Sequence, residues 1–399
     1  MRSTDELELL QVTGIITLSL VVYSSGYKQS LFNDFLFCII PQYYAIIYPN
    51  RIWDLYIFLI MLINYTGLRK RKSHSKGRST VIDYLRFSLS VVVAIAIYAV
   101  DFSIFEKRFE KTEFFGISLM DIGVGSFIYN AGVMSYKKNS MKYLKSCPTL
   151  IGLGFVRYFV VKAFNIDVNP REYGLHLNFY FLLAFVHIVY CLINSKHNFL
   201  IGLCIITSYE FVLKLTNFGY IILSDDRRNL IEMNKEGLVA IIPYLTIFLT
   251  SREIGRICFS DDKLTKKMLK TLTLTVLFGS FYMLFSLSSE PSRRIGNGAF
   301  AFWVLTFHSL HITIYMFFEN IFDLYSIQTS RFCSSNMMFV FLFSNLIVLF
   351  GNVLFNLKAF SSLMAHLNLL SYLVLIFSIP VLVTNRFNLS SIGLGYRSR

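Results

Sequence analysis

Apolar runs of roughly bilayer length, separated by short polar loops, set the rhythm of this chain. A helix that crosses a bilayer needs about 20 mostly apolar residues, with a range of about 17 to 25. On that rule the runs fall near 8–24, 31–48, 53–68, 81–100, 116–134, 148–165, 174–194, 198–214, 237–251, 271–289, 298–319, 336–357 and 366–384. They predict an all-α polytopic integral membrane protein with about 13 transmembrane helices. No internal repeat, low-complexity segment or Pro/Gly/Ser-rich linker interrupts them, so residues 1–399 read as one integral domain with a short tail at 385–399.

Composition sharpens this picture. The 399 residues are 55% hydrophobic, 17% aromatic and only 16% charged, more apolar surface than a soluble core could bury. The formal charge of +14 would suit nucleic acid, but the basic residues sit in short loops and form no extended groove. Anionic head groups or a polyanionic substrate fit that distribution better. The loop 68–78, the run 137–145 and the stretch 252–270 are the strongest basic clusters, and all fall on one side in this span count. The positive-inside rule makes that side cytosolic, with the C-terminal arginines. The N-terminus and the loop 101–113 then face the lumen. The acidic start MRSTDELELL, with no small-residue cleavage site after the first apolar run, predicts a retained helix. The six cysteines are scattered without a C-x-x-C pair and read as buried thiols. The sequons at Asn64 and Asn388 fall in a span and in the cytosolic tail, poor places for a glycan.

One stretch breaks the apolar pattern. Residues 101–126, DFSIFEKRFEKTEFFGISLMDIGVGS, place Asp101, Glu106, Lys107, Arg108, Glu110, Lys111, Glu113 and Asp121 between two long apolar runs. Charge at the mouth of a membrane segment is expensive unless it is used. Phe102, Phe105 and Phe109 recur at helical spacing and predict an aromatic stripe in the interface, flanked by Asp101, Arg108 and Lys111. A straight helix would hold Asp101 and Lys111 about 15 Å apart, so joint action on one substrate requires a bend between them. Asp121, in an apolar run beside Gly123, Gly125 and Ser126, must face a partner or a polar cavity. Arg157, Lys162 and Glu210 also sit in or at the ends of spans; internal ion pairing and substrate contact are both open readings for these groups.

The order of residues in this stretch resembles the glucosaminyl-phosphatidylinositol acyltransferases of glycosylphosphatidylinositol (GPI) anchor synthesis, whose signature runs roughly D-F-x-[IV]-F-P-R-R-F-[AG]-K-x-E, a glycine, then S-L-M-D-x-G-V-G-S-F. Asp101, Phe102, Phe105, Arg108, Phe109, Lys111, Glu113, Gly116 and 118–127 match; Glu106, Lys107 and Glu110 depart from it. Later blocks extend the likeness in order. Arg157 and Lys162 look like L-R-x-F-x-V-K, and Glu172, Tyr173, Gly174, His176, Asn178 and Phe179 resemble E-Y-G-V-H-W-N-F-F, with Leu177 for tryptophan. Tyr209, Glu210, Asn234, Glu236 and Gly237 are similar to Y-E and N-R-E-G-I, with Lys235 for arginine. Ser292, Arg293, Arg294, Asn297 and Trp303 resemble S-R-R-A-N-L-x-Y-x-x-W, with 298–300 drifted, and Asn345 and Asn352 a late A-N-L-x-x-x-x-x-N. Before residue 80 only the hydropathy agrees.

The resemblance implies a membrane-bound O-acyltransferase of the endoplasmic reticulum that moves a fatty acyl group, palmitoyl by expectation, from acyl-CoA to the inositol 2-hydroxyl of glucosaminyl-phosphatidylinositol. A thioester is already activated, so no protein nucleophile, metal or cofactor is needed, and acyl-CoA is a co-substrate. The protein must deprotonate the hydroxyl, steady the oxyanion and align two lipids. Asp101 is the expected general base, with Lys111 stabilising the oxyanion or orienting the aspartate. Arg157, Lys162, Arg293 and Arg294, or the cytosolic clusters at 68–78 and 137–145, are expected to meet the CoA phosphates. Arg108, Asp121, His176, Asn178, Glu210, Asn234, Glu236, Asn297 and Trp303 complete the expected substrate-binding set. No G-x-S-x-G elbow supports a serine acyl-enzyme. His308 and His311, at i and i+3, offer two ligand nitrogens, but no carboxylate or cysteine stands nearby in sequence to complete a metal site. Other membrane O-acyltransferases hinge on an intramembrane histidine, and the pattern they need around His308 is missing. The rival from another class is a secondary transporter of a lipid-like or anionic substrate, which many spans with buried charge would also suit; the lack of an internal repeat counts against it.

Overall fold

The computed structural model describes residues 5–26, 30–66, 80–137, 140–166, 169–193 and 195–386. The basic loop 68–78 and the tail beyond 386 lie outside them, as does Asn388. Among the described residues the regular structure is helical throughout. Among the described residues nine helices are long and apolar enough to cross a bilayer, or ten if the bent pair Leu31–Ile47 and Pro49–Tyr65 forms one span. The expected count of about 13 is therefore not confirmed. Each apolar run does meet helix, but Ile122–Ser135 and Phe179–Ile193 have only 14 and 15 residues, and the pair at 31–65 bends by 116°. The bend has a local cause. Tyr48 leaves the helical region (φ −122°, ψ 59°) before Pro49, because the proline ring disfavours α geometry in the residue preceding it.

Packing divides the chain into two compact units. One runs from Lys111 to Leu310; the other joins Asp5–Glu110 to His311–Arg399.

In the unit 111–310 the helix Lys235–Cys258 is the packing centre, against Ile122–Ser135, Asn198–Leu215 and Phe179–Ile193. Its contact with Ile122–Ser135 depends on two glycines. A Cβ on Gly132 would fall 2.4 Å from the Phe248 carbonyl oxygen, and one on Gly255 2.2 Å from that of Val133. Where lipid tails supply no hydrophobic drive between helices, such close approach is how helices gain contact. By contrast the helices Ser140–Ala163 and Leu264–Ser286 leave most of their length uncovered by protein, as lipid-facing helices do. His308, from the Gly298–Ile321 helix, places Nε2 2.6 Å from Ser126 Oγ and its ring over Tyr129.

The other unit is built around the helix Val81–Ala99, buried over most of its length and packed by Glu6–Gly26, Gln328–Ser335, Met337–Leu354 and Ser362–Phe377. Inside it Asp34 is fully buried and accepts hydrogen bonds from Tyr23 Oη (2.7 Å), Thr329 N (3.0 Å) and Thr329 Oγ1 (2.6 Å). His311 sits 3.2 Å from Thr13 Oγ1.

Candidate functional site

Asp101 lies where the Val81–Ala99 helix ends. The chain leaves that helix in tight turns, Asp101 N donating to Tyr98 O and Phe102 N to Ala99 O. From there to Gly116 it holds no helix beyond the single turn Lys107–Phe109. The expected interfacial stripe is thus corrected: Phe102, Phe105 and Phe109 are 4%, 6% and 0% exposed, core residues of a turning chain. Turns at Phe102–Phe105 and Glu106–Phe109 replace the straight helix over this stretch. Glu106 stands where the signature has proline, and its φ of −71° and ψ of 120° are angles that proline itself adopts. The backbone at Glu106 therefore has angles that would admit the signature's proline. Arg108 is 3.0 Å from Glu8 Oε1 and donates to Asn50 Oδ1 (2.9 Å), with its guanidinium over the Phe109 ring.

The Asp101 carboxylate opens into a cleft of about 470 Å³ lined by Asn352 and the following residues to Lys358. Asn352 Nδ2 donates to Asp101 Oδ2 at 2.7 Å, across 251 positions of sequence. Burial pushes the Asp101 carboxyl above its ordinary value; the Asn352 hydrogen bond and the Lys358 charge pull against that and are outweighed. A raised carboxyl is a better base than a free one. A second, more apolar cleft of about 200 Å³ shares Leu354 and Phe355 with the first and continues over Tyr98, Phe350 and Tyr372. Polar and apolar hollows side by side suit an amphiphile.

The unit 111–310 carries the other charged residues, and most are paired. Asp121 is fully buried. It receives Thr112 N (3.1 Å), Thr112 Oγ1 (2.8 Å), Ser118 Oγ (2.9 Å) and Arg293 Nε (2.8 Å). That arrangement pins the loop 112–121 to the loop ahead of Gly298. Gly116 N donates to Pro291 O (2.8 Å) with φ at 104°, and Ser292 Oγ donates to Phe114 O. Burial alone would lower the Arg293 guanidinium, but Asp121 and Glu172 more than reverse it and hold the group charged. Lys111 Nζ is 2.6 Å from Glu172 Oε1. Burial would raise Glu172, yet Lys111 and Arg293 take it below its usual value.

The remaining expected residues divide between pairs and caps. Glu236 takes Arg227 through both nitrogens, at 2.6 and 2.5 Å, and Arg294 Nη2 at 3.4 Å. Asn234 Oδ1 accepts from His176 N (2.9 Å) and Leu177 N (3.2 Å), while its Nδ2 lies 3.1 Å from His176 Nδ1. Asn178 Oδ1 accepts from Tyr180 N (3.0 Å) at the start of the Phe179–Ile193 helix. Asn297 Oδ1 does the same for Phe300 N (3.1 Å), and Glu210 Oε1 accepts from Gly298 N. Trp303 is buried against Tyr282 and Phe307. Arg157 and Lys162 are exposed on the last turns of Ser140–Ala163, where the Arg157 charge reaches Glu172. Sequence reasoning missed Lys358, and it named Glu172 and Asn352 only as motif residues.

Helices of bilayer length and apolar composition define a polytopic membrane protein. The family model GWT1 matches residues 3–383, and the chain belongs to that family. This is the glucosaminyl-phosphatidylinositol inositol acyltransferase family of GPI-anchor biosynthesis that the motifs resemble. The match takes in the first 80 residues, where the motif reading had only hydropathy. The GPI-anchored wall transfer protein 1 of Kluyveromyces lactis is 32% identical over 303 residues, 70% of this chain and 67% of that protein. Its namesake in Candida albicans is 30% identical over 406 residues, covering 83% and 81%. That of Schizosaccharomyces pombe is 27% identical over 336 residues, covering 75% and 73%.

Proposed function

We propose that this protein transfers a fatty acyl group from acyl-CoA to the inositol 2-hydroxyl of glucosaminyl-phosphatidylinositol. The observation that carries the reading is the Asp101 cleft: a carboxyl raised by burial, oriented by Asn352, open on one side and next to an apolar hollow. One Asp101 oxygen takes the proton of the 2-hydroxyl as that oxygen attacks the thioester carbonyl. The tetrahedral adduct then collapses, the C–S bond breaks, and the Asp101 carboxyl returns its proton to the departing CoA thiolate. The products are acyl-inositol and free CoA, and Asp101 is regenerated. Lys111 enters on motif grounds as the oxyanion-stabilising or orienting cation, with Glu172 fixing its ammonium.

We place the protein in the endoplasmic reticulum membrane with the N-terminus and the 101–113 loop lumenal and the C-terminus cytosolic, as the basic clusters direct. Arg157 and Lys162, exposed at one helix end, are the better candidates for CoA phosphates. Arg293 and Arg294 are committed to carboxylates. Purified protein given labelled palmitoyl-CoA and glucosaminyl-phosphatidylinositol should form acyl-inositol, and Asp101→Asn should not. A folded wild type that forms no product ends this reading in favour of a transporter.

A further inference from the structure

The Asp101 cleft contains a cation for which the reaction above has no task. Lys358 enters from the short turn Leu357–Ala359, just after the helix Met337–Leu354 that carries Asn352. It is exposed and, among the described residues, makes no ion pair. Its charge is felt by the Asp101 carboxyl, yet that carboxyl takes its hydrogen bond from the neutral Asn352. A lysine that lines the same hollow as a carboxylate without closing on it leaves room for a third group between them. At about 470 Å³ the hollow falls within the range of small-molecule sites, about 300–1,000 Å³.

The two side chains make different demands. Asp101 needs a hydroxyl, and Lys358 needs an anion a few ångströms away. Resting on the acyltransferase reading, we propose that Lys358 binds the acceptor lipid's phosphodiester, on the ring carbon next to the one whose hydroxyl Asp101 deprotonates. In a phosphatidylinositol the phosphodiester sits on carbon 1 and the reacting hydroxyl on carbon 2, so one cleft meets both. The ammonium then fixes which hydroxyl faces the base: of the two ring neighbours of carbon 1, carbon 6 carries the glucosamine, so the 2-hydroxyl is the free one within reach of both groups. A phosphate of CoA offers the same chemistry to a lysine, and the two sources separate by which KM responds.

The test uses full-length protein in detergent, as wild type, Lys358→Met and Lys358→Arg, with each substrate varied at saturating levels of the other. A lost charge-assisted contact at an open site should raise the acceptor KM of Lys358→Met about tenfold or more. The KM for palmitoyl-CoA should stay within about twofold, and Lys358→Arg should recover most of the loss. The acid limb of kcat/KM should move to higher pH in Lys358→Met, since the cation no longer holds the Asp101 carboxyl down. An unchanged acceptor KM overturns the assignment, and so does a rise confined to palmitoyl-CoA. Calorimetric binding of dioctanoyl-phosphatidylinositol needs no turnover. Weaker binding by Lys358→Met supports the lysine site even with an inactive wild type, whose inactivity counts only against the acyltransferase reading; equal binding by both proteins overturns the site.

Discussion

Replacing Arg293 by methionine tests whether the loop 112–121 is locked from within. The substitution keeps an apolar stem and removes the guanidinium whose Nε lies 2.8 Å from Asp121 Oδ1. Asp121 is fully buried, so its charge is left without a counter-ion in a place water does not reach. Breaking a buried pair by removing one partner costs about 3–5 kcal/mol. Thr112 and Ser118 still donate to the carboxylate, which puts the expectation at the low end, about 3 kcal/mol. Denaturant titration in mixed micelles, followed by far-ultraviolet circular dichroism, reads the loss. Asp121→Asn in the same protein removes the orphaned charge while keeping a hydrogen-bond acceptor. The double variant should therefore recover at least about 1 kcal/mol over the sum of the two single losses. A loss below about 1 kcal/mol in Arg293→Met, or strictly additive single losses, would show that the pair does not hold the loop.

Three other outcomes follow from the same geometry. Glu106→Pro should be tolerated, and a gain of about 0.4–1 kcal/mol is expected from the stiffer unfolded chain; a loss of folded protein on size exclusion would contradict the angles at that position. Gly116→Ala should cost about 1–2 kcal/mol, because φ of 104° excludes a side chain and the Gly116–Pro291 hydrogen bond fixes that angle; wild-type stability in that variant would refute it. The pH profile of kcat/KM should report Asp101. Burial raises its carboxyl above the ordinary 3.8, the active form is the carboxylate, and activity should fall as pH drops through that raised value. A limb at the ordinary aspartate position, or one that survives in Asp101→Asn with reduced rate, would remove Asp101 from the proton transfer.

Hydropathy located the helices because crossing a bilayer leaves the backbone no other solution, and each of the apolar runs met helix. It failed to set their ends. The run 116–134 becomes a helix only from Ile122, since Gly116 has positive φ and Asp121 draws Thr112 and Ser118 into hydrogen bonds ahead of it. The phenylalanine spacing misled for a related reason. Residues 102, 105 and 109 fit a helical wheel, but consecutive turns bring them inward just as well, and a wheel carries no record of the hydrogen bonds that would tell the two apart.

The motif had a different limit: it marks residues without separating their tasks. Asp101 and Asp121 belong to one signature, and both are aspartates at the edge of an apolar run. Asp121 has four donors and no exposure, so its oxygens are taken up within the protein. Asp101 accepts from the neutral Asn352, is half-buried, and has an open cleft in front of it. What distinguishes a carboxylate that holds a loop from one that can work on a substrate is its set of partners. Those partners arrive from 172 and 251 residues away, as Arg293 and Asn352.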